Sequence, residues 1–151
     1  MLSSCHTKNL KVFKHTQTMK KLLDEHYVLV QLDEEYNIIE VIWRKFAMSR
    51  QYRQTIETAY QAIVEYNVTG WLSDMTHASV VAMEDQHWMK NVMIPKGIAA
   101  GIAKAAIVKS EDINSQKFVR SVESGMRSFS SGHFASIEEA REWLKKETVL
   151  N

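Results

Sequence analysis

The chain has 151 residues, 45% of them apolar and 25% charged, with 19 basic against 18 acidic side chains and a formal net charge of +1. Those proportions belong to an ordinary globular protein rather than a disordered or fibrous one, and the length suits one domain with room for a sizeable core. Basic and acidic residues are interspersed except near the N-terminus, which argues against the concentrated positive surface that a phosphate backbone requires, so no nucleic-acid partner is expected.

A single cysteine, Cys5, leaves no intramolecular disulfide to form and fits a reducing compartment. Leu2-Ser3-Ser4-Cys5 has the look of a lipoprotein cleavage box, but the charged and apolar regions that precede such a site are missing. No apolar run approaches the roughly 18 residues of a membrane span. The expected location is cytoplasmic, with no transmembrane segment.

Residues 1–25 carry Lys8, Lys11, Lys14, Lys20 and Lys21 with few large apolar groups, and read as a solvated N-terminal arm, helical in part from Thr18 to Glu25. A single domain is expected over residues 26–151. Val28, Val30 and Leu32 alternate with Leu29 and Gln31, the period of a strand. After the turn-forming Asp33 to Asn37, the run Ile38 to Trp43 is β-branched and aromatic, so the two pair as an antiparallel hairpin. Ser49 is placed to cap a helix in which Tyr52, Ile56, Ala59, Tyr60 and Ile63 recur at helical spacing up to about Asn67.

Gly70 opens a third strand, Trp71 to Asp74, followed by the polar loop Met75 to Ser79. A second helix begins near Met83, where Glu84 and Asp85 complement the positive end of its dipole. Pro95 is expected to kink or interrupt it, and Gly101 to stop it. Ala103 to Val108 reads as a strand, residues 114–125 as a helix with Phe118, Val122 and Met126 on one face, and Phe129 to Phe134 as a weak last strand. Ser136 and Glu139 form a capping-box pair that starts a final helix with Ile137, Ala140 and Leu144 inward. The order is ββαβαβαβα: an α/β fold with a mixed, mostly parallel sheet and an antiparallel hairpin at its start.

This order resembles the STAS/SpoIIAA-like superfamily, the fold of the anti-sigma-factor antagonists, and in particular its small stand-alone bacterial members. The matching pieces are Val30-Gln31-Leu32-Asp33-Glu34 with Ile42-Trp43, Trp71-Leu72-Ser73-Asp74, Glu84-Asp85-Gln86-His87-Trp88, Ile94-Pro95 through Ala99-Ala100-Gly101, Ala106-Ile107-Val108, and Ser136 to Ala140 with Trp143-Leu144. They span residues 27–146. The resemblance implies a mixed sheet with helices and a regulatory or ligand-binding role, and the expected module is non-enzymatic. In the antagonists a Ser or Thr after the third strand is phosphorylated, and Thr76 and Ser79 lie in the corresponding region. The usual Asp-Ser-Ser-Gly-like sequence is replaced by Asp74-Met75-Thr76-His77. Other members of the fold group resemble lipid binders, which need an apolar pocket.

In α/β proteins ligands bind in the crevice beyond the carboxyl ends of the strands, so the residues after Trp71-Leu72-Ser73-Asp74 are the first candidates. The expected site has a polar rim of Asp74, Thr76 and His77 and an apolar wall of Met83, Trp88 and Met89, methionine being adaptable to varied apolar surfaces. Its occupant is a partner protein or a small apolar or amphipathic ligand, and exposed Trp and Met would also suit a homodimer. Three alternatives compete. Asp74 could orient His77 as the acid/base pair of a small hydrolase. Asp74, His77, Glu84 and His87 could hold Zn²⁺ or Fe²⁺, although local capping and packing explain each of them and no complete metal motif is present. Thr76 or Ser79 could be a phospho-switch, against a plain role in loop hydrogen bonding. Gly97 to Gly101 sits at a helix end before a strand, not after one, and is no dinucleotide fingerprint. No cofactor is expected.

Overall fold

The computed structural model describes residues 19–109, 116, 117, 119, 120 and 130–146. The Leu2 to Cys5 segment, the lysines at 8, 11 and 14, and most of the helix expected over 114–125 lie outside the described residues; of that helix, residues 116, 117, 119 and 120 are helical. The elements are β1 (Met19–Glu25), β2 (Val28–Asp33), β3 (Ile38–Trp43), α1 (Ser49–Tyr66), β4 (Gly70–Asp74), α2 (Met83–Trp88), a π-helical turn (Met89–Met93), α3 (Ile94–Ala99), β5 (Lys104–Val108), β6 (Ser130–Phe134) and α4 (Ile137–Lys145).

The fold is α/β, with one six-stranded mixed sheet in the order β1-β2-β3-β4-β5-β6. β1, β2 and β3 are antiparallel, and β3 to β6 are parallel. Because each parallel strand is added on the same side of the last, right-handed crossovers put the connecting helices on one face. That face buries Val30, Val41 and Trp43 of the sheet with Tyr52, Ile56 and Ile63 of α1 and Met93 of the π-turn. The opposite face carries only α4 among the described helices, which packs Ala140 and Leu144 on Ile38, Leu72, Ala106 and Val108.

The expected partial helix over Thr18–Glu25 is corrected to a strand. Six residues of the expected arm, within the strand Met19–Glu25, pair with β2 at the sheet edge. The register shifts between Lys21 and Leu23, a bulge that lets both Leu22 and Leu23 touch the core and erases the alternation that marks a strand.

α1 starts one residue earlier than a Ser49 cap implies. Met48 is the N-cap, its amide donating to Gln51 Oε1 at 2.9 Å, and Asn67 closes the helix in the left-handed conformation (φ 53°). Pro95 does not interrupt the second helical run. The run widens instead into the π-turn just before it, with the Ile94 amide donating to the Met89 carbonyl. Proline lacks an amide and its ring presses on the carbonyl four residues back, so the chain inserts a residue there rather than breaking. Gly101, at φ 125°, ends the run.

α4 is capped by Ser136, whose hydroxyl accepts from the Glu139 amide at 3.2 Å. It is tied to the sheet by a buried ion pair. Arg141 donates from Nε and Nη2 to the two oxygens of Glu40 at 2.8 and 2.9 Å, and Gln31 Nε2 donates to the same carboxylate at 2.8 Å. Glu40 is 1% exposed. Such a two-pronged contact holds the guanidinium in one orientation, with its pKa raised by that hydrogen bond.

Candidate functional site

Between the helix-rich face of the sheet and α1, α2, the π-turn and α3 lies a cavity of about 380 Å³. Strand alternation decides what enters it. Trp43 at the end of β3, Trp71 and Ser73 on β4, and Ala105 and Ile107 on β5 face inward, with Met75 just beyond β4. From the helices come Tyr52, Ile56, Tyr60 and Ile63, then Asp85, Met89, Met93, Ile94 and Ile98. Phe46, Ala47 and Val80 to Ala82 form the edge of the opening at the carboxyl ends of the strands.

The wall is mostly apolar, with Tyr60 and Ser73 as further polar members, and its one carboxylate stands at that end. There Asp85, 1% exposed, accepts from Ser49 Oγ at 2.9 Å and from Arg53 Nε at 2.7 Å, both at Oδ1. Ser49 and Arg53 are one turn apart on α1 and so project together. Arg53 also lies over the Trp88 ring, 4.9 Å from its centre. Tyr52 stacks on Trp43 at 5.3 Å and meets the edge of Trp88 at 6.4 Å. Burial, and then the charge of Asp85, push the Tyr52 phenol above its ordinary pKa, so it stays a neutral hydroxyl. Ser73 Oγ reaches only the Met75 sulfur, at 3.2 Å, a weak acceptor.

Of the expected site residues, Met89 lines the cavity and so does Ser79, whereas Asp74, Thr76, His77, Met83 and Trp88 do not. Asp74 follows Leu72 by two and shares its face, the α4 side. Its Oδ1 accepts from the Thr76 amide at 3.0 Å and the Thr76 hydroxyl at 2.6 Å, closing the loop on itself. Thr76 and His77 are exposed, and Met83 is 65% exposed. Trp88 stands behind Tyr52 as its packing partner. Among the described residues no group of three or more His, Cys, Asp or Glu is placed to hold a metal ion, so Asp74, His77, Glu84 and His87 are not brought together as ligands.

Asp85 is the cavity-lining carboxylate that sequence reasoning did not single out as part of a site. Its place in the first turn of α2 gave it a sufficient local reason to be acidic. The partners that make it an interior carboxylate, Ser49 and Arg53, are 36 and 32 residues away. Comparison of the chain with protein-family models, with curated proteins and with solved structures finds no match. Among the described residues no helix is long and apolar enough to cross a membrane.

Proposed function

We propose that this protein is a non-enzymatic, cytoplasmic STAS/SpoIIAA-like module that binds a small apolar or amphipathic ligand in the cavity between its sheet and helices. The observation that carries the reading is the cavity itself. Interiors pack to crystal-like density with few voids larger than a water molecule, and about 380 Å³ falls in the range of small-molecule sites, roughly 300–1,000 Å³. Its apolar wall with polar groups gathered at one end matches how such sites orient an amphipathic guest. The π-turn contributes Met89 and Met93 to the wall, and such widened turns concentrate at functional sites.

A thermal-shift screen of short-chain apolar and amphipathic compounds tests this. A true ligand at about a hundred times its Kd stabilises the fold by about 2.7 kcal/mol. If no compound raises the melting temperature, the ligand-binding reading is dropped.

A second reading is favoured by the surface beside the opening, where Phe46 (56% exposed), Met48 (52%), Val80 (49%) and Met83 (65%) are all uncovered. There a partner protein or a second copy of the chain covers the mouth. Light scattering over a hundredfold range of concentration tests the homodimer, which is discarded if the mass stays that of one chain.

A further inference from the structure

Resting on the ligand-binding reading above, we infer that the occupant of the cavity has an apolar body and a hydrogen-bond-donating head, an alcohol or an amine, and that the head sits on Asp85 and Tyr52. Two buried groups at the same end of the cavity are left with bonding capacity. Both hydrogen bonds to Asp85 go to Oδ1, and among the described residues nothing donates to Oδ2. Tyr52, only 6% exposed, likewise has no partner for its hydroxyl among the described residues. Yet no fully buried polar side-chain atom among them lacks a partner, so both oxygens keep contact with open space. The space that Asp85 and Tyr52 line is the cavity.

The chemistry of those two oxygens selects the head. A carboxylate oxygen only accepts, while a phenol both donates and accepts. A guest that donates satisfies Oδ2 and can share a second bond with Tyr52. A guest that only accepts leaves Oδ2 unpaired and brings its own lone pairs against a carboxylate, and a second carboxylate adds like-charge repulsion. Lys45 also borders the cavity but is exposed, and an exposed lysine adds little attraction for an anion. The other end, around Ile56, Ile63, Ile98 and Ala105, offers mostly hydrocarbon to the body of the guest, with Tyr60 one turn from Ile56 and Ile63 as its polar member.

The test uses four compounds with one hydrocarbon chain: octanol, octylamine, octyl methyl ether and octanoate. Each is titrated into the full chain and followed by the fluorescence of Trp43 and Trp71, which line the cavity. Octanol and octylamine should bind about tenfold more tightly than the ether and octanoate, the ratio expected of one hydrogen bond to a charged acceptor. Asp85→Asn should bring octanol and the ether to within about twofold of each other. Tyr52→Phe leaves the Asp85–Arg53 pair in place and so guards against a folding defect; it should weaken octanol about threefold, and the ether by no more than that, since an ether can only accept from the lost phenol. Binding of the ether or octanoate as tightly as octanol overturns the inference while leaving the cavity reading standing, and so does a preference that survives both substitutions. If none of the four binds, both fall together.

Discussion

Replacing Ala105 by leucine should stabilise the protein and abolish ligand binding at once. Ala105 is buried on β5, opposite Trp71 in the register, and its side chain faces the cavity. Leucine adds three carbons, which at about 0.8 kcal/mol each gain about 2.4 kcal/mol on leaving water for the void. Fixing the side chain returns about 0.5–1 kcal/mol. The net gain is about 1.5 kcal/mol, a rise in melting temperature of roughly 3–6 °C for a chain of this size. The neighbouring Ala106 provides the control. It faces α4, is fully buried, and packs in a core bounded by Ile38, Leu72 and Val108. Ala106→Leu should therefore destabilise, by about 1–3 kcal/mol, because nothing there can make room. Urea and thermal unfolding of the two variants, with octanol titrations, decide the matter. If Ala105→Leu loses as much stability as Ala106→Leu, there is no fillable void and the cavity reading fails. If it gains stability and still binds octanol normally, the ligand sits elsewhere.

Asp74→Ala removes the acceptor of two loop hydrogen bonds and should cost about 0.5–1.5 kcal/mol without altering octanol affinity; a tenfold loss of affinity would return Asp74 to the site. Arg141→Met strands Glu40 in the interior with Gln31 as its one remaining side-chain partner among the described residues. It should cost about 3 kcal/mol, the low end for breaking a buried pair because the Arg141 side chain is 34% exposed. Urea unfolding showing a loss below 1 kcal/mol would contradict that. The raised Tyr52 phenol makes an alkaline prediction. The folded state retains a proton that the unfolded chain releases above pH about 10, so this contribution is intact below that pH and shrinks as pH rises through and beyond it. Wild-type stability should therefore fall relative to Tyr52→Phe between about pH 9.5 and 11, and parallel urea midpoints would refute it.

What the sequence disclosed depended on whether a pattern was local. The β2–β3 hairpin was legible because Val28, Val30 and Leu32 alternate without interruption and the turn residues separate them from Ile38. The stops at Asn67 and Gly101 were legible because each residue suits a conformation that few others tolerate; both have positive φ. β1 was not legible. Its bulge puts Leu22 and Leu23 side by side against the core, and adjacent leucines among lysines read as a helix or a tail. The candidate site was legible as a place and not as a set of residues. The carboxyl end of β4 does border the cavity through Ser73 and Met75, but alternation turns Asp74 to the other face. Periodicity states that neighbours point apart without saying which of them points inward. Asp85 was hidden for a different reason: a contact between two helices, 32 residues apart, leaves no mark in a single sequence.

The two faces of the sheet thus answer to different physical demands. On the α4 face Glu40 is gripped by two side chains, beside a core that includes Ala106, Leu72 and Leu144. That arrangement fixes one geometry, and the hollow beside it, about 330 Å³ lined by Gln31, Asp33, Arg141 and Lys145, is polar where the other is apolar. On the other face, among the described residues, the carboxylate of Asp85 is held at one oxygen only, and the helix that carries it does not settle onto the sheet as a uniform cylinder. Past Pro95 an ideal helix would meet a clash at the carbonyl of Asn91; the extra residue of the π-turn absorbs it, and the inward line runs Asp85, Met89, then Met93 and Ile94, then Gly97 and Ile98. A wall that must stay aligned past a proline, above strands carrying small Ser73 and Ala105, encloses space instead of filling it. Proteins seldom keep a void that a few more methylenes would fill.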